Sequence, residues 1–441
     1  MSLDASERQC REGEECIAGW PSHLRSKMVT VLPDWEAQLA LASLPPLWSH
    51  RVPVPFATWA DRPEDAPSGS TPREPPKATS AANEFRKYLP YAHDFLDTFG
   101  ISCGGAVCYR SRRLEQWVNH SEVMVLDMSG FTWSRTLKDP RSYAIVNFAH
   151  ERGLTALALW TAGNAGISLA MAARSLNHFL ARDHRIRVHA LHNAEDKDFE
   201  EIKRQLELWE CATLSIKRDR DPILCPTEIE SYVREFSRLP HGDGYPLWDV
   251  SDGWEAVGLV MYRLLLAQVI RDLKPTHVVA PLGTGNLMLG IVLAVQDCRA
   301  VLQDPVVVVA AGPDGNNVVT RISDIRDSAS VGRRRMTAIM PKLASTYTPL
   351  LPCIETAMRD GRMRFHETTA RDQLAAATAL LAKAKSRPIL AEPSAVAAFA
   401  ALHATAQEVS SPTIGRFLVV NSGYGVCGPR ERRFTERALR Q

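Results

Sequence analysis

Between about residues 122 and 420 the chain alternates short apolar runs, rich in Val, Leu and Ala, with longer stretches of helical periodicity. No other property restricts its fold as much. A short apolar run without polar alternation is buried on both faces, and repeated strand–helix alternation lays such strands side by side and parallel, with helices covering both faces. Strands are predicted at 123–127, 154–160, 187–191, 212–216, 277–281, 305–311 and 417–420. Helices are predicted at 141–152, 166–179, 199–209, 227–237, 254–272, 287–295, 373–385 and 394–406. Residues 389–391 read as short and extended, and 238–253, rich in Gly, Asp and Pro, as a linker. The fold class is therefore α/β. Ligands of such sheets sit beyond the carboxyl ends of the strands, so the segments that follow strands are where chemistry is expected.

Four segments stand in strand-to-helix or post-strand positions. Thr161-Ala162-Gly163-Asn164-Ala165-Gly166 follows the run 154–160 and opens a helix. Small residues there let the backbone approach a ligand, and the helix start offers N–H donors to an anion. Gly283-Thr284-Gly285-Asn286 follows 277–281 and precedes an apolar helix, the arrangement of a phosphate cradle. No lysine of the P-loop kind follows it, and Gly290 comes too late for the dinucleotide-binding glycine pattern. Thr136-Leu137-Lys138-Asp139 precedes a helix whose first turn suits Pro140. Ser422-Gly423-Tyr424-Gly425 follows the final strand. Read singly, each has a plain alternative: a solvated lysine, an asparagine cap, an ordinary strand-to-helix turn.

Composition narrows the classes. With 441 residues there is room for two or three folding units and a large core. A hydrophobic content of 45% and a charged content of 23% are those of a soluble globular enzyme. A net charge of +2 gives no reason to expect nucleic acid or an anionic membrane as partner. No apolar run reaches the length of a membrane span, and the polar N-terminus is unlike a secretory signal, so a cytoplasmic protein is expected. The nine cysteines are odd in number and scattered, which argues against a disulfide framework. Cys10 with Cys16, and Cys103 with Cys108, are spaced more loosely than zinc pairs, and no metal site is expected. Nine of the 28 prolines fall between Pro45 and Pro76, which sets residues 1–83 apart as a Pro-rich N-terminal extension. Such a segment cannot bury a core of its own. It reads as an arm wrapping the body, or as a partner-docking segment, with a short amphipathic helix at 35–44. The cluster Arg333-Arg334-Arg335 reads as solvated surface or as a basic face toward an acidic substrate.

In their order along the chain, the four segments resemble those of the fold type II pyridoxal-phosphate enzymes, the tryptophan synthase β-like superfamily. Within it the likeness is greatest to threonine synthase and to the cysteine- or cysteate-synthase-like enzymes, and it spans roughly residues 100–430. It implies two parallel-sheet α/β domains with an irregular N-terminal extension. The larger would take 84–125 and 246–441, with the phosphate loop and Ser422; the smaller would take 126–245, with Lys138 and the Asn164 loop. It implies pyridoxal 5'-phosphate as cofactor. Lys138, placed like the lysine of the family's Ser-Phe-Lys-Asp-Arg element, would hold the cofactor as a Schiff base and act as the catalytic base. Asn164 would contact the phenolic oxygen. Thr161, Ala162, Gly163 and Asn164 would bind the substrate carboxylate, Gly283, Thr284, Gly285 and Asn286 the phosphate, and Ser422 the pyridine nitrogen. Glu392-Pro393-Ser394 matches a family helix start and is expected to be structural. Two departures stand out: Pro140-Arg141 replaces Arg-Gly, and Cys427 stands where the family often has lysine.

A hydroxyl at the pyridine nitrogen suits β- (or γ-) elimination or replacement through an aminoacrylate. The resemblance thus implies a lyase or synthase acting on a small amino acid, with a second nucleophilic co-substrate if the outcome is replacement, and a homodimer. Two other readings stay open: a catalytically silent homologue that regulates a partner, and an α/β enzyme using a nucleotide at 283–286.

Overall fold

A computed structural model describes Ala57–Trp59 and residues 99–440, apart from 119–120, 152, 194–198, 217–246, 252–254, 256, 303, 316, 320–341, 344–347, 349, 382–387, 410–414 and 428. The predicted helices at 35–44 and 227–237 and the cluster at 333–335 lie outside the described residues. In chain order the strands are β1 (Ala57–Trp59), β2 (Ala106–Arg110), β3 (Glu122–Asp127), β4 (Ala156–Trp160), β5 (Arg187–Asn193), β6 (Ala212–Ile216), β7 (Leu247–Asp249), β8 (His277–Pro281), β9 (Val307–Pro313), β10 (Arg364–Thr368) and β11 (Arg416–Asn421). The helices are α1 (Arg112–Trp117), α2 (Lys138–Glu151), α3 (Asn164–Asn177), α4 (Phe199–Leu208), α5 (Val257–Leu273), α6 (Asn286–Cys298), α7 (Leu351–Arg359), α8 (Ala370–Leu381), α9 (Pro393–Glu408) and α10 (Pro429–Leu439).

Two sheets form, one in the order β1-β2-β3-β11-β8-β9-β10 and one in the order β6-β5-β4-β7. The α/β expectation holds, and every strand pair but one is parallel. The exception is β2, antiparallel to β3. Only residues 111–121, with the short α1, link the two, whereas a parallel crossover needs a dozen residues or more and usually a full helix. The stretch 238–253 is not all linker, because β7 lies in it and pairs with β4. Residues 389–391 form no strand.

The apolar runs build the core as predicted. Val278, Val279, Ala280, Leu418, Val419 and Val420 are fully buried at the centre of the larger sheet. Helix α2 is buried along residues 139–149, its polar groups included, and packs against α3 and α5. Helices α5 and α6 pack closely because Gly290 has no side chain: a Cβ there would come within 2.7 Å of Tyr262 Cβ. Among the described residues no helix is long and apolar enough to cross a membrane.

Candidate active site

Helices α2, α3, α6 and α9 all begin at the wall of one cleft, with about 820 Å³ of empty space. Their starts bring four sets of N–H donors and four positive dipole ends to one place. All ten residues predicted from the sequence line it: Lys138, Thr161, Ala162, Gly163, Asn164, Gly283, Thr284, Gly285, Asn286 and Ser422. Glu392, Ser394 and Lys342 line it too.

Lys138 is set by the segment before it. Thr136 Oγ1 accepts from the Lys138 N–H at 3.2 Å. The Asp139 carboxylate reaches back to the N–H groups of Trp133 (2.8 Å) and Ser134 (2.9 Å) and to the Ser134 hydroxyl (2.5 Å). Burial pushes that carboxyl above its ordinary range, and these hydrogen bonds oppose the shift. The same segment is stitched to residues 422–424. Leu137 N–H donates to Ser422 O at 2.8 Å, Tyr424 N–H donates to Arg135 O at 3.0 Å, and Thr136 forms an antiparallel bridge with Gly423. Gly423 has φ +129°, and a Cβ there would strike the Arg135 carbonyl, so only glycine serves. Lys138 and Ser422, far apart in sequence, are thereby fixed on one cleft.

The shifted arginine of the Pro140-Arg141 departure has its own role. Arg141 is fully buried, donates from Nε to Glu255 Oε1 at 2.6 Å and also bonds the Val250 carbonyl. Glu255 accepts in turn from Gly258 N–H at 2.7 Å and from Asn286 Nδ2 at 3.3 Å. A buried ion pair thus ties the first turn of α2 to the glycine loop. In that loop Gly285 takes φ +110°, with Ile354 packed where a Cβ would go. Glu255 sits where no motif pointed to it.

In the Asn164 loop, Thr161 Oγ1 accepts from Gly163 N–H (2.9 Å) and Gly166 N–H (3.1 Å), which holds the turn and leaves the hydroxyl proton to be donated. Asn164 belongs to a closed ring of four hydrogen bonds. Its Nδ2 donates to Glu392 Oε2 at 2.7 Å, and Lys342 Nζ donates to the same oxygen at 2.8 Å. Lys342 Nζ also donates to Val426 O at 2.8 Å, and Val426 N–H donates to Asn164 Oδ1 at 3.0 Å. The ring settles which way the amide faces and leaves one Nδ2 proton to give. Gly425 lies flat on that amide, where a Cβ would collide. Glu392, expected to be structural, is therefore linked directly to a site residue.

Lys342 also meets Glu431 Oε2 at 3.2 Å. Burial alone would lower its pKa, but Glu392 and Glu431 outweigh burial and hold the ammonium above the usual lysine range. Burial pushes the Cys427 thiol up to about 12, so it is no nucleophile. No motif surrounds Lys342, and no pattern of residues around it signals a role.

The donor set fits the cofactor the sequence implies. A lysine, an amide N–H, a hydroxyl, and a Gly/Thr loop at a helix start face one cleft whose only lining carboxylate, among the described residues, is neutralised by Lys342. Two buried atoms of cleft-lining residues, Asn286 Oδ1 and Ser394 Oγ, have no hydrogen-bond partner among the described residues, the mark of a site completed by a bound molecule.

Comparison with known proteins agrees. The family model of pyridoxal-phosphate dependent enzymes matches residues 104–423. No curated protein matches the sequence. Among solved structures, serine racemase from maize superposes with a TM-score of 0.57 at 14% identity, covering 82% of this chain and 97% of its own. O-ureido-L-serine synthase gives 0.55 at 18% identity, covering 77% and 92%. A pyridoxal 5'-phosphate-dependent aspartate racemase gives 0.56 at 13% identity, covering 75% and 94%. At these identities the likeness is one of fold.

Proposed function

Because the chain belongs to the pyridoxal-phosphate dependent enzymes, with pyridoxal 5'-phosphate as cofactor, we propose that it is a lyase or synthase that takes the α-proton from a small amino acid and then eliminates or replaces a β- or γ-substituent. Bound in the cleft, the cofactor supplies an electron sink for bonds that break at the amino acid's α-carbon. Lys138 holds it and moves the α-proton. The free Nδ2 proton of Asn164 and the Ser422 hydroxyl orient its ring. The glycine loop 283–286 takes the phosphate at the start of α6. The Thr161 hydroxyl and the first-turn N–H groups of α3 take the substrate carboxylate. Trp160, Tyr262 and Met288 line the same cleft.

The observation that carries this reading is the contrast between the two cleft lysines. Lys342 gives its hydrogen bonds and ion pairs to Glu392, Glu431 and the Val426 carbonyl and keeps its charge, so it is no base. That leaves Lys138 as the lysine that accepts and returns protons. One base serves elimination or replacement; inversion of the α-carbon, as in the racemases of like fold, needs protons exchanged on both sides. O-ureido-L-serine synthase, of the same fold, is by name a synthase, and replacement would require a nucleophilic co-substrate. A homodimer is part of the proposal.

The test is a screen of amino acids bearing β- and γ-leaving groups against the holoenzyme and Lys138→Ala, following ammonia, 2-oxo acid and new amino acids. Turnover by the wild type, with loss in the variant of both activity and the borohydride-removable visible band, is expected. Racemisation without loss of a substituent would refute the lyase or synthase reading. Spectral change without any turnover would favour a silent homologue.

A further inference from the structure

A second concavity lies at the far end of α3. Its floor is Ala170, Ala173, Ile186 and Val188, and its rim carries Arg174, Arg182, Arg185 and Arg187, with Trp209 on one side. Glu210 is the one carboxylate in its lining. The lining thus holds four guanidinium groups against one carboxylate, a local excess of three charges in a chain whose net charge is +2. Glu210 is engaged by Arg174 at 3.2 Å. No carboxylate lies within ion-pair distance of Arg182 or Arg185 among the described residues.

The plain alternative is a solvated basic surface, and three features argue against it. First, the residues converge on a concavity rather than a convex face, which concentrates the field of like charges. Second, the loop that carries three of the arginines is fixed from behind. Asn177 Nδ2 donates to the Ile186 carbonyl and Asn177 Oδ1 accepts from the Ile186 N–H, each at 2.8 Å, so Arg185 and Arg187 flank a buried anchor. Third, Arg174 is held in place by the Leu208 carbonyl at 2.9 Å and by the Trp209 ring at 5.6 Å. The backbone anchor and Arg174 thus keep like charges facing one concavity, where an anion would offset their repulsion.

We propose that this concavity is a binding site for a small multiply charged oxyanion, gripped by the planar forks of Arg182 and Arg185 and steered by Arg174 and Arg187. Guanidinium groups match phosphate and carboxylate alike, each through paired N–H donors. The site is separate from the catalytic cleft. Helix α3, 14 residues and about 20 Å long, carries Asn164 at one end and Asn177 at the other, so the substrate-carboxylate side of the cleft and this anion occupy opposite ends of one helix.

The test uses holoenzyme saturated with cofactor, so that the glycine loop is filled, and titrates pyrophosphate or citrate calorimetrically in low and moderate salt. Saturable binding at one site per chain is expected, weakened about tenfold or more in the Arg182→Gln/Arg185→Gln double variant and by added salt. Both side chains are exposed, so the variant should keep the wild-type circular dichroism and Tm, which the same experiment checks. Preference for pyrophosphate over citrate would identify a phosphate ligand, and the reverse a polycarboxylate. Absence of saturable binding for both, or equal binding by the double variant, would overturn the proposal. None of these outcomes depends on the reaction catalysed.

Discussion

Replacing Lys342 with methionine is the sharpest test of the hydrogen-bonded ring. The side chain fits the same volume but strands Glu392 and Glu431, whose side chains are only 6% and 4% exposed. Removing one partner of a buried pair costs about 3–5 kcal/mol. A stranded carboxylate can relieve itself by taking a proton, which for a carboxyl of ordinary acidity costs about 4 kcal/mol at pH 7. That proton uptake caps the damage, and it sets the pH dependence. The expected loss is about 4 kcal/mol at pH 7, falling by about 1.4 kcal/mol per pH unit to near 1 kcal/mol at pH 5. With an unfolding entropy of about 2.1 cal/mol/K per residue, 4 kcal/mol over this chain is a fall in Tm of about 4 °C. Calorimetry at both pH values, with equal cofactor excess, reads it. Adding Glu431→Gln to Lys342→Met should restore part of the loss, since one of the two stranded carboxylates has been removed. A deficit under 1 kcal/mol at pH 7, or one independent of pH, would refute the reasoning: the ring would then be a crowd of contacts rather than a charge-neutralised unit.

Two further outcomes follow from the geometry. In Gly425→Ala the new methyl lands on the Asn164 amide, so kcat/KM should fall about 100-fold. Gly361→Ala, with open space around a φ of +68°, should cost about 1 kcal/mol of stability and leave steady-state kinetics unchanged. His189, in the smaller sheet, has its pKa lowered to about 4, by burial first and then by Arg187. Its folded value lies below its unfolded one, so the stability it contributes is present above about pH 6.5 and is lost as pH falls toward 4, by about 3 kcal/mol at most. Urea unfolding of wild type and His189→Gln at pH 7 and pH 4 should show a shallower acid loss in the variant.

The parts of the fold that were legible in the sequence are those whose burial is two-sided. Strands β6 and β8 fall on their predicted residues, and the helices that follow β4 and β8 begin within two residues of expectation, because apolar runs and small-residue turns leave few alternatives. What escaped was short or half-solvated. Strand β7 offers only Leu247 and Trp248 as apolar signal, and edge strand β10, from Arg364 to Thr368, is mostly polar. The cleft was legible where glycines and helix starts line it, since these leave a pattern. Arg141, Glu255 and Lys342 left none: a buried charge is recognised by its partner, and each partner here comes from a distant segment.

Strand β11 sits in the middle of the larger sheet, between β3 and β8, although it comes last among the described strands. Asn421 closes on Asp127 across 294 positions of sequence. On the ribosome, β1-β2-β3 and β8-β9-β10 would therefore emerge as two half-sheets with raw inner edges and wait for the strand that joins them. Unpaired edges of this length invite pairing with other chains. The synthesis of residues 416–421 is then the event that ends this exposure, and because Ser422 follows at once, a chain that has become safe from aggregation is also one whose candidate site has just gained its last lining residue.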